Sequence, residues 1–352
     1  MSVKITTLGA WAKTAIAPLL FIAAATVATV VSYTAHAATP EEDFAARCAA
    51  TGVLVCEGFD NASTFTYSSS KQEGLTAGDN TIGIQDTSTK ASGASSLRFD
   101  IPGLTGSDPA GNFAKNFGQT FGQNSTFYVQ WRQRFDDNML NINWYQLMNT
   151  SFKQVVMYSL SGTPCANIEL TTVNVYSTGI PEIYSECGNN SVRTSLSDFT
   201  HQTSEVPYYY QQGASLTSGY NCQYDKEFVG TGNGKGCYAY SANKWITFYE
   251  RISVGTWGNP NSSIQAWVSV DGGPYLQWVN VRDYVLRSNG SSNDGWGRIM
   301  LTPYMTNKNS SVNHATAHTW YDELIISTQP ITAPGGASQT AIAAPSNLRI
   351  VQ

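Results

Sequence analysis

Between Thr126 and Phe135 apolar and polar residues alternate, with Phe127, Val129, Trp131 and Phe135 on one parity and Tyr128, Gln130, Arg132 and Arg134 on the other. A period of two places successive side chains on opposite faces of a strand, so this segment is predicted as a strand with one buried face. The β-branched and aromatic runs Phe152–Leu160, Asn167–Val175, Lys244–Val254, Ser263–Val270, Arg298–Tyr304 and Thr319–Ser327 read the same way. Turn signals separate them: Asp271-Gly272-Gly273-Pro274 predicts a hairpin and Asn289-Gly290 another tight reversal. Convincing helical periodicity hardly appears. Many short strands punctuated by Gly, Asn and Ser predict an all-β chain folded as a two-sheet antiparallel β-sandwich of jelly-roll type, with long ordered loops.

Three stretches depart from this rhythm. At the N-terminus, Lys4 and Lys13 are the only charges before a predominantly apolar stretch from Ala15 to Val31, which ends in Ala35-His36-Ala37. That layout predicts a signal peptide over residues 1–37, cleaved after Ala37, and a secreted or periplasmic protein with no membrane association once it is removed. The stretch from Cys187 to Lys244 is polar and rich in tyrosine (Tyr208, Tyr209, Tyr210, Tyr220, Tyr224, Tyr238, Tyr240), which predicts a long loop draped over the sandwich. Residues 331–352 read as a small-residue linker and tail, whose last residues resemble the opening strand of a fibronectin type III module. The jelly-roll domain is therefore expected over residues 38–330.

Composition agrees with a globular domain: 41% of residues are hydrophobic and 12% aromatic, enough to bury a substantial core. The net charge of −5 becomes more negative by two when Lys4 and Lys13 leave with the signal, which argues against nucleic acid as a partner. All 6 cysteines follow the signal, and export implies disulfides. Six cysteines allow roughly 15 connectivities. Pairing of sequence neighbours, Cys48 with Cys56, Cys165 with Cys187 and Cys222 with Cys237, is the expected set. No cysteine or histidine spacing suggests zinc, so no metal site and no cofactor is expected, although Asp- and Asn-rich loops suit a structural calcium ion. Sequons at Asn61, Asn124, Asn149, Asn261 and Asn309 read as ordinary loop composition, given the bacterial style of the signal.

The segments YVQWRQRF (Tyr128–Phe135) and TWYDELIIS (Thr319–Ser327), the opening Cys56-Glu57-Gly58-Phe59-Asp60 and the closing RIMLTPYMTNKN (Arg298–Asn309) resemble strands of the concanavalin A-like jelly-roll superfamily. Within it they resemble secreted bacterial polysaccharide lyases of alginate, glucuronan and heparin lyase type. The resemblance spans Cys48 to Pro330. It implies an acidic polysaccharide as partner and β-elimination as chemistry, with a cleft bordered by a late strand like Arg298–Lys308 and a Tyr-Asp strand like Trp320–Asp322.

Elimination from a uronate needs a cation or amide to neutralise the carboxylate, a base for the C5 proton and an acid for the leaving oxygen. Arg132, Arg134 and Gln130 share a strand parity and are candidates to line one groove, an arginine fork matching a carboxylate. Their plainer role is pairing with acids on a solvated sheet. Lys153 and Gln154 are further donors, but adjacent strand residues face opposite ways, so only one of the two reaches the groove. For proton transfer the candidates are His314 and Tyr304, with His318, Tyr321 and Lys308 as substitutes. Only 4 histidines occur and His36 is in the signal, while imidazole titrates near neutrality. A histidine packed under a loop is the ordinary alternative.

Two other functions compete. A glycoside hydrolase needs two facing carboxylates, but Glu-x-Asp-x-Glu is absent and Glu169, Glu250, Asp322 and Glu323 are scattered or adjacent. A non-catalytic, lectin-like carbohydrate binder needs stacking aromatics, which the tyrosine-rich loop and Trp257 would supply.

Overall fold

A computed structural model describes residues 38–141, 151–160, 169–175, 181–184, 240–286 and 295–335. The signal segment, the Asn289-Gly290 turn and most of the tyrosine-rich loop lie outside the described residues. Among the described residues two short α-helices occur, α1 (Pro40–Cys48) and α2 (Asp137–Asn141). The strands are β1 (Val53–Glu57), β2 (Gly74–Thr76), β3 (Ile82–Asp86), β4 (Ser96–Ile101), β5 (Asn112–Phe121), β6 (Ser125–Phe135) and β7 (Ser151–Tyr158). They continue with β8 (Glu169–Val175), β9 (Pro181–Tyr184), β10 (Trp245–Val254), β11 (Pro260–Val270), β12 (Leu276–Val285), β13 (Trp296–Leu301) and β14 (Ala317–Ser327).

These strands form two antiparallel sheets. The eight-stranded back sheet runs β12-β11-β10-β6-β14-β4-β3, with β1 pairing β14, and the six-stranded front sheet runs β2-β5-β13-β7-β8-β9. The chain is thus the expected β-sandwich. Its core forms where the alternating apolar parities meet: Phe127, Val129, Trp131 and Phe135 of β6 and Tyr321, Leu324 and Ile326 of β14 face Phe113, Phe117, Phe152, Met157, Ile299 and Leu301 of the front sheet. Trp131 stacks on Phe248 of β10 at 4.9 Å between ring centroids, a contact that adds to simple area burial. The β11–β12 hairpin turns at Asp271 and Gly272, both with positive φ (47° and 76°), as the Asp-Gly pair predicts.

A polar network is embedded in this core. Gln154 Nε2 donates to Gln133 Oε1 (2.8 Å), and Gln133 Nε2 donates to Thr319 Oγ1 (3.0 Å). The Tyr321 hydroxyl donates to the Gln154 carbonyl (2.9 Å), and the Tyr240 hydroxyl donates to Gln154 Oε1. Buried amides are tolerated only when so engaged, and a satisfied network fixes how the two sheets register.

The outer face of the back sheet is closed as well. Helix α1 begins with a capping box, Thr39 accepting from the Glu42 amide while Glu42 accepts from the Thr39 amide, and with Pro40 in its first turn. The Cys48–Cys56 disulfide ties its end to β1; the other two expected disulfides lie outside the described residues. Phe44 packs with Tyr249, Ile325 and Ile331 in a second apolar cluster. Arg47, 3% exposed, donates to Gln130 Oε1 (2.8 Å) and pairs with Asp43 (2.9 Å) and Glu323. Ile331 and Ala333 are buried and the Thr332 carbonyl accepts from Gln130, so the domain continues beyond Pro330 and the first residues of the expected linker belong to the fold. Among the described residues no helix is long and apolar enough to cross a membrane.

Candidate active site

The structure divides the candidate residues among three places. Arg132, Arg134 and Gln130 do share a face, as their spacing predicts, but it is the outer face of the back sheet beneath α1 and the 331–335 segment. Gln130 is fully buried, bonded to Arg47, the Tyr275 hydroxyl (3.0 Å) and the Thr332 carbonyl (3.0 Å). Arg132 pairs with Glu323 (3.2 Å) and lies over Trp245, while Arg134 lies over Trp320 and bonds the Asn243 carbonyl. Gln130 and Arg132 therefore lie in a covered, ion-paired layer in place of the expected open groove, while Arg134, beside Trp320 and Asn243, is partly buried. Sequence parity specifies a shared face but not which face a terminal helix will cover. His318 belongs to the same face, with Nδ1 2.8 Å from Asp136 and its ring stacked on Trp320 at 5.7 Å.

Gln154 and Tyr321 lie in the core network instead of a cleft. Lys153 faces away from Gln154, as adjacency requires, and its amide donates to the Tyr304 carbonyl (2.9 Å).

Tyr304, Lys308 and His314 gather on the 302–316 segment, which folds against the loop joining β4 to β5 at one end of the front sheet. The Tyr304 hydroxyl donates to Asp108 Oδ2 (3.1 Å). Burial and the neighbouring Asp108 carboxylate raise its pKa above the usual phenol value. Lys308 reaches into the loop, donating through Nζ to the Pro102 carbonyl (2.6 Å), the Thr105 carbonyl (2.9 Å) and Thr105 Oγ1 (2.5 Å). Burial lowers its pKa to about 8. His314 places Nδ1 2.7 Å from the Ala315 carbonyl, and burial, with a smaller contribution from Lys308, depresses its pKa, so the imidazole is neutral at pH 7. Gly103 packs so closely that a Cβ there would meet the His314 carbonyl at 2.4 Å, which is why the loop needs glycine. The arrangement offers a protonated phenol and a neutral imidazole on one segment, a donor and an acceptor type.

The acids weighed for hydrolysis do not form a facing pair. Glu250, Asp322 and Glu323 are fully buried. Asp322 accepts from the amides of Ala91 (2.7 Å), Ser92 (3.3 Å) and Glu323 (2.8 Å). Burial still raises its pKa well above the usual carboxylate value. The Glu169 side chain lies outside the described residues. Trp257, expected as a stacking aromatic, packs against Trp296 (5.9 Å) at the core edge. Among the described residues no group of three or more His, Cys, Asp or Glu is disposed to hold a metal.

The residue that sequence reasoning passed over is Arg298 of β13, a buried cation on the outer face of the front sheet. Its signal was its parity, opposite to the core residues Ile299 and Leu301.

No family model matches the chain, and no curated protein is significantly similar to it in sequence. Among solved structures it is similar to an endo-β-1,4-glucuronan lyase from the fungus Trichoderma reesei, at 10% identity and a TM-score of 0.47, over 80% of this chain and 98% of that one. It is also similar to the PL-14 alginate lyase of Aplysia kurodai, at 14% identity and a TM-score of 0.49, over 80% and 100%, and to the cellulose-induced protein Cip1, at 12% and 0.41, over 78% and 97%.

Proposed function

We propose that the protein is a secreted polysaccharide lyase that cleaves a uronate polymer by β-elimination at the end of the front sheet where the 302–316 segment folds. The observation carrying this reading is the Tyr304 hydroxyl, a phenol kept protonated beside Asp108, on the same short segment as a neutral imidazole. In the reaction His314 takes the C5 proton and Tyr304 gives a proton to the leaving oxygen. Lys308, held by three loop acceptors, positions the segment and does not touch substrate.

The test is absorbance at about 235 nm, where the unsaturated product of an elimination absorbs, with the protein from Ala38 onward and a panel of uronate polymers. Tyr304→Phe and His314→Ala should each lower turnover by about a hundredfold or more while leaving the circular dichroism spectrum unchanged, since general acid or base catalysis contributes roughly 10²–10⁴. Full activity in both variants removes the assignment of these two residues.

A non-catalytic carbohydrate binder is the second reading. The observation favouring it is that His314 Nδ1 and Lys308 Nζ are already engaged with loop carbonyls, an arrangement that a purely structural loop would also build. No rise at about 235 nm with any polymer, together with retention on a polysaccharide gel, would put this reading first.

A further inference from the structure

Asn116 of β5 and Tyr158 of β7 are the cross-strand partners of Arg298 on its two sides. The three side chains form a row across adjacent strands, on the outer face because their neighbours Ile299, Phe117 and Met157 point into the core. Arg298 Nε donates to Asn116 Oδ1 (2.6 Å) and Nη1 donates to Gln72 Oε1 (2.8 Å), while the guanidinium carbon lies 5.7 Å from the centre of the Tyr158 ring. The residue is 5% exposed.

This differs from the other buried arginine. Arg47, 3% exposed, is neutralised by Asp43 and Glu323. Arg298 has two amides and a ring, and among the described residues no carboxylate within ion-pair distance and no acceptor for Nη2. Amides satisfy donors without cancelling charge, and an uncompensated cation out of water is costly.

The surroundings hold this arrangement. Asn116 Nδ2 donates to the Lys71 carbonyl (2.8 Å), which turns its oxygen towards Arg298, and the Asn116 amide donates to Glu73 Oε1 (3.0 Å). Gln72 adopts a left-handed conformation (φ 54°) that non-glycine residues rarely take, and its side chain serves the guanidinium.

We propose that Arg298 is the centre of an anion-receiving subsite whose ligand is the carboxylate of an acidic sugar. The missing counter-ion is supplied by substrate: a carboxylate takes the fork through Nη2, and the Tyr158 ring and Asn116 flank the sugar that carries it. The subsite rests on the polysaccharide reading; Arg298 lies within β13, while Tyr304, six positions later, follows the strand. The subsite therefore selects acidic polymers by binding and is separate from the proton-transfer residues.

The test measures, by calorimetry, binding of uronate trisaccharides and their carboxyl-reduced counterparts. The wild-type protein should prefer the acidic form. Arg298→Gln should weaken the acidic ligand by about tenfold to a hundredfold, the worth of one or two charge-assisted hydrogen bonds, and leave the neutral ligand unchanged. Arg298→Lys, which keeps the charge for folding but lacks the fork, should fall between the two. Undiminished preference for the acidic form in folded Arg298→Gln or Arg298→Lys overturns the subsite. Wild-type protein that binds neither sugar and releases no unsaturated product overturns the polysaccharide reading itself, and the subsite with it.

Discussion

If the layer of Arg47, Arg132, Gln130 and Glu323 is structural, Arg47→Ala must act on stability. Glu323 is fully buried at a bulge in β14 with a positive φ of 50°, and it holds Arg47 on one oxygen and Arg132, at 3.2 Å, on the other. Removing Arg47 leaves this carboxylate with one cation, strips Gln130 Oε1 of its donor and loses the packing of the arginine stem under α1. Breaking a buried pair typically costs about 3–5 kcal/mol. The remaining Arg132 contact puts the expectation at the lower end, about 3 kcal/mol, or roughly 6–12 °C in melting temperature for a domain of this size. Arg47→Met combined with Glu323→Gln removes the fully buried carboxylate and should recover only part of the loss, because the less buried Arg132 and Asp43 are left unpaired in its place. Urea unfolding of the oxidised protein from Ala38 onward, followed by circular dichroism, measures both. A loss below about 1 kcal/mol in Arg47→Ala, or a double variant less stable than the single one, would refute this account.

Two pH dependences follow from the burial of single groups. Lys308 has a folded pKa of about 8, below the usual lysine value of about 10.4, so the folded state binds its proton less tightly than the unfolded state. Stability should therefore gain from this group as pH rises from about 8 towards 10, and the wild-type curve relative to Lys308→Met should show that rise; parallel curves would refute it. Asp86 behaves oppositely. Burial opposes its ionisation, but hydrogen bonds from Ser88, Trp320 and Arg98 outweigh burial and hold its pKa below the carboxylate range. Its contribution is fully present above about pH 4 and lost as pH falls further. The stability advantage over Asp86→Asn should shrink between about pH 4 and pH 2, and a constant difference would contradict the assignment.

The sandwich was legible because burial on one face of a strand imposes a period of two, and that period needs no knowledge of the partner strand. β6 carries it in full: its inward parity is Phe127, Val129, Trp131 and Phe135, as read. The same alternation misled the site assignment, because both parities of a strand in a sandwich can be buried when something covers the outer face. Here the cover is α1, whose start was written in Thr39-Pro40 and Glu42, a proline and a capping box set immediately after the expected cleavage point. Only the tertiary contact of Arg47 with Glu323, 276 positions away, reveals what the helix closes. Gln154 and Tyr321 fail for a related reason: periodicity cannot distinguish a polar side chain facing solvent from one satisfied inside the core.

Arg298 marks the limit from the other side. Among the described residues it has no carboxylate partner, and a missing partner is a property of three-dimensional neighbours that no local pattern contains. Arginines on exposed parities are ordinary, whereas one that is 5% exposed and, among the described residues, held by two amides and a ring is not. If substrate completes the ion pair, then the front sheet binds an acid group on β13 and transfers protons at Tyr304, on the segment that follows the strand. A polymer rather than a single sugar is then the ligand that spans both.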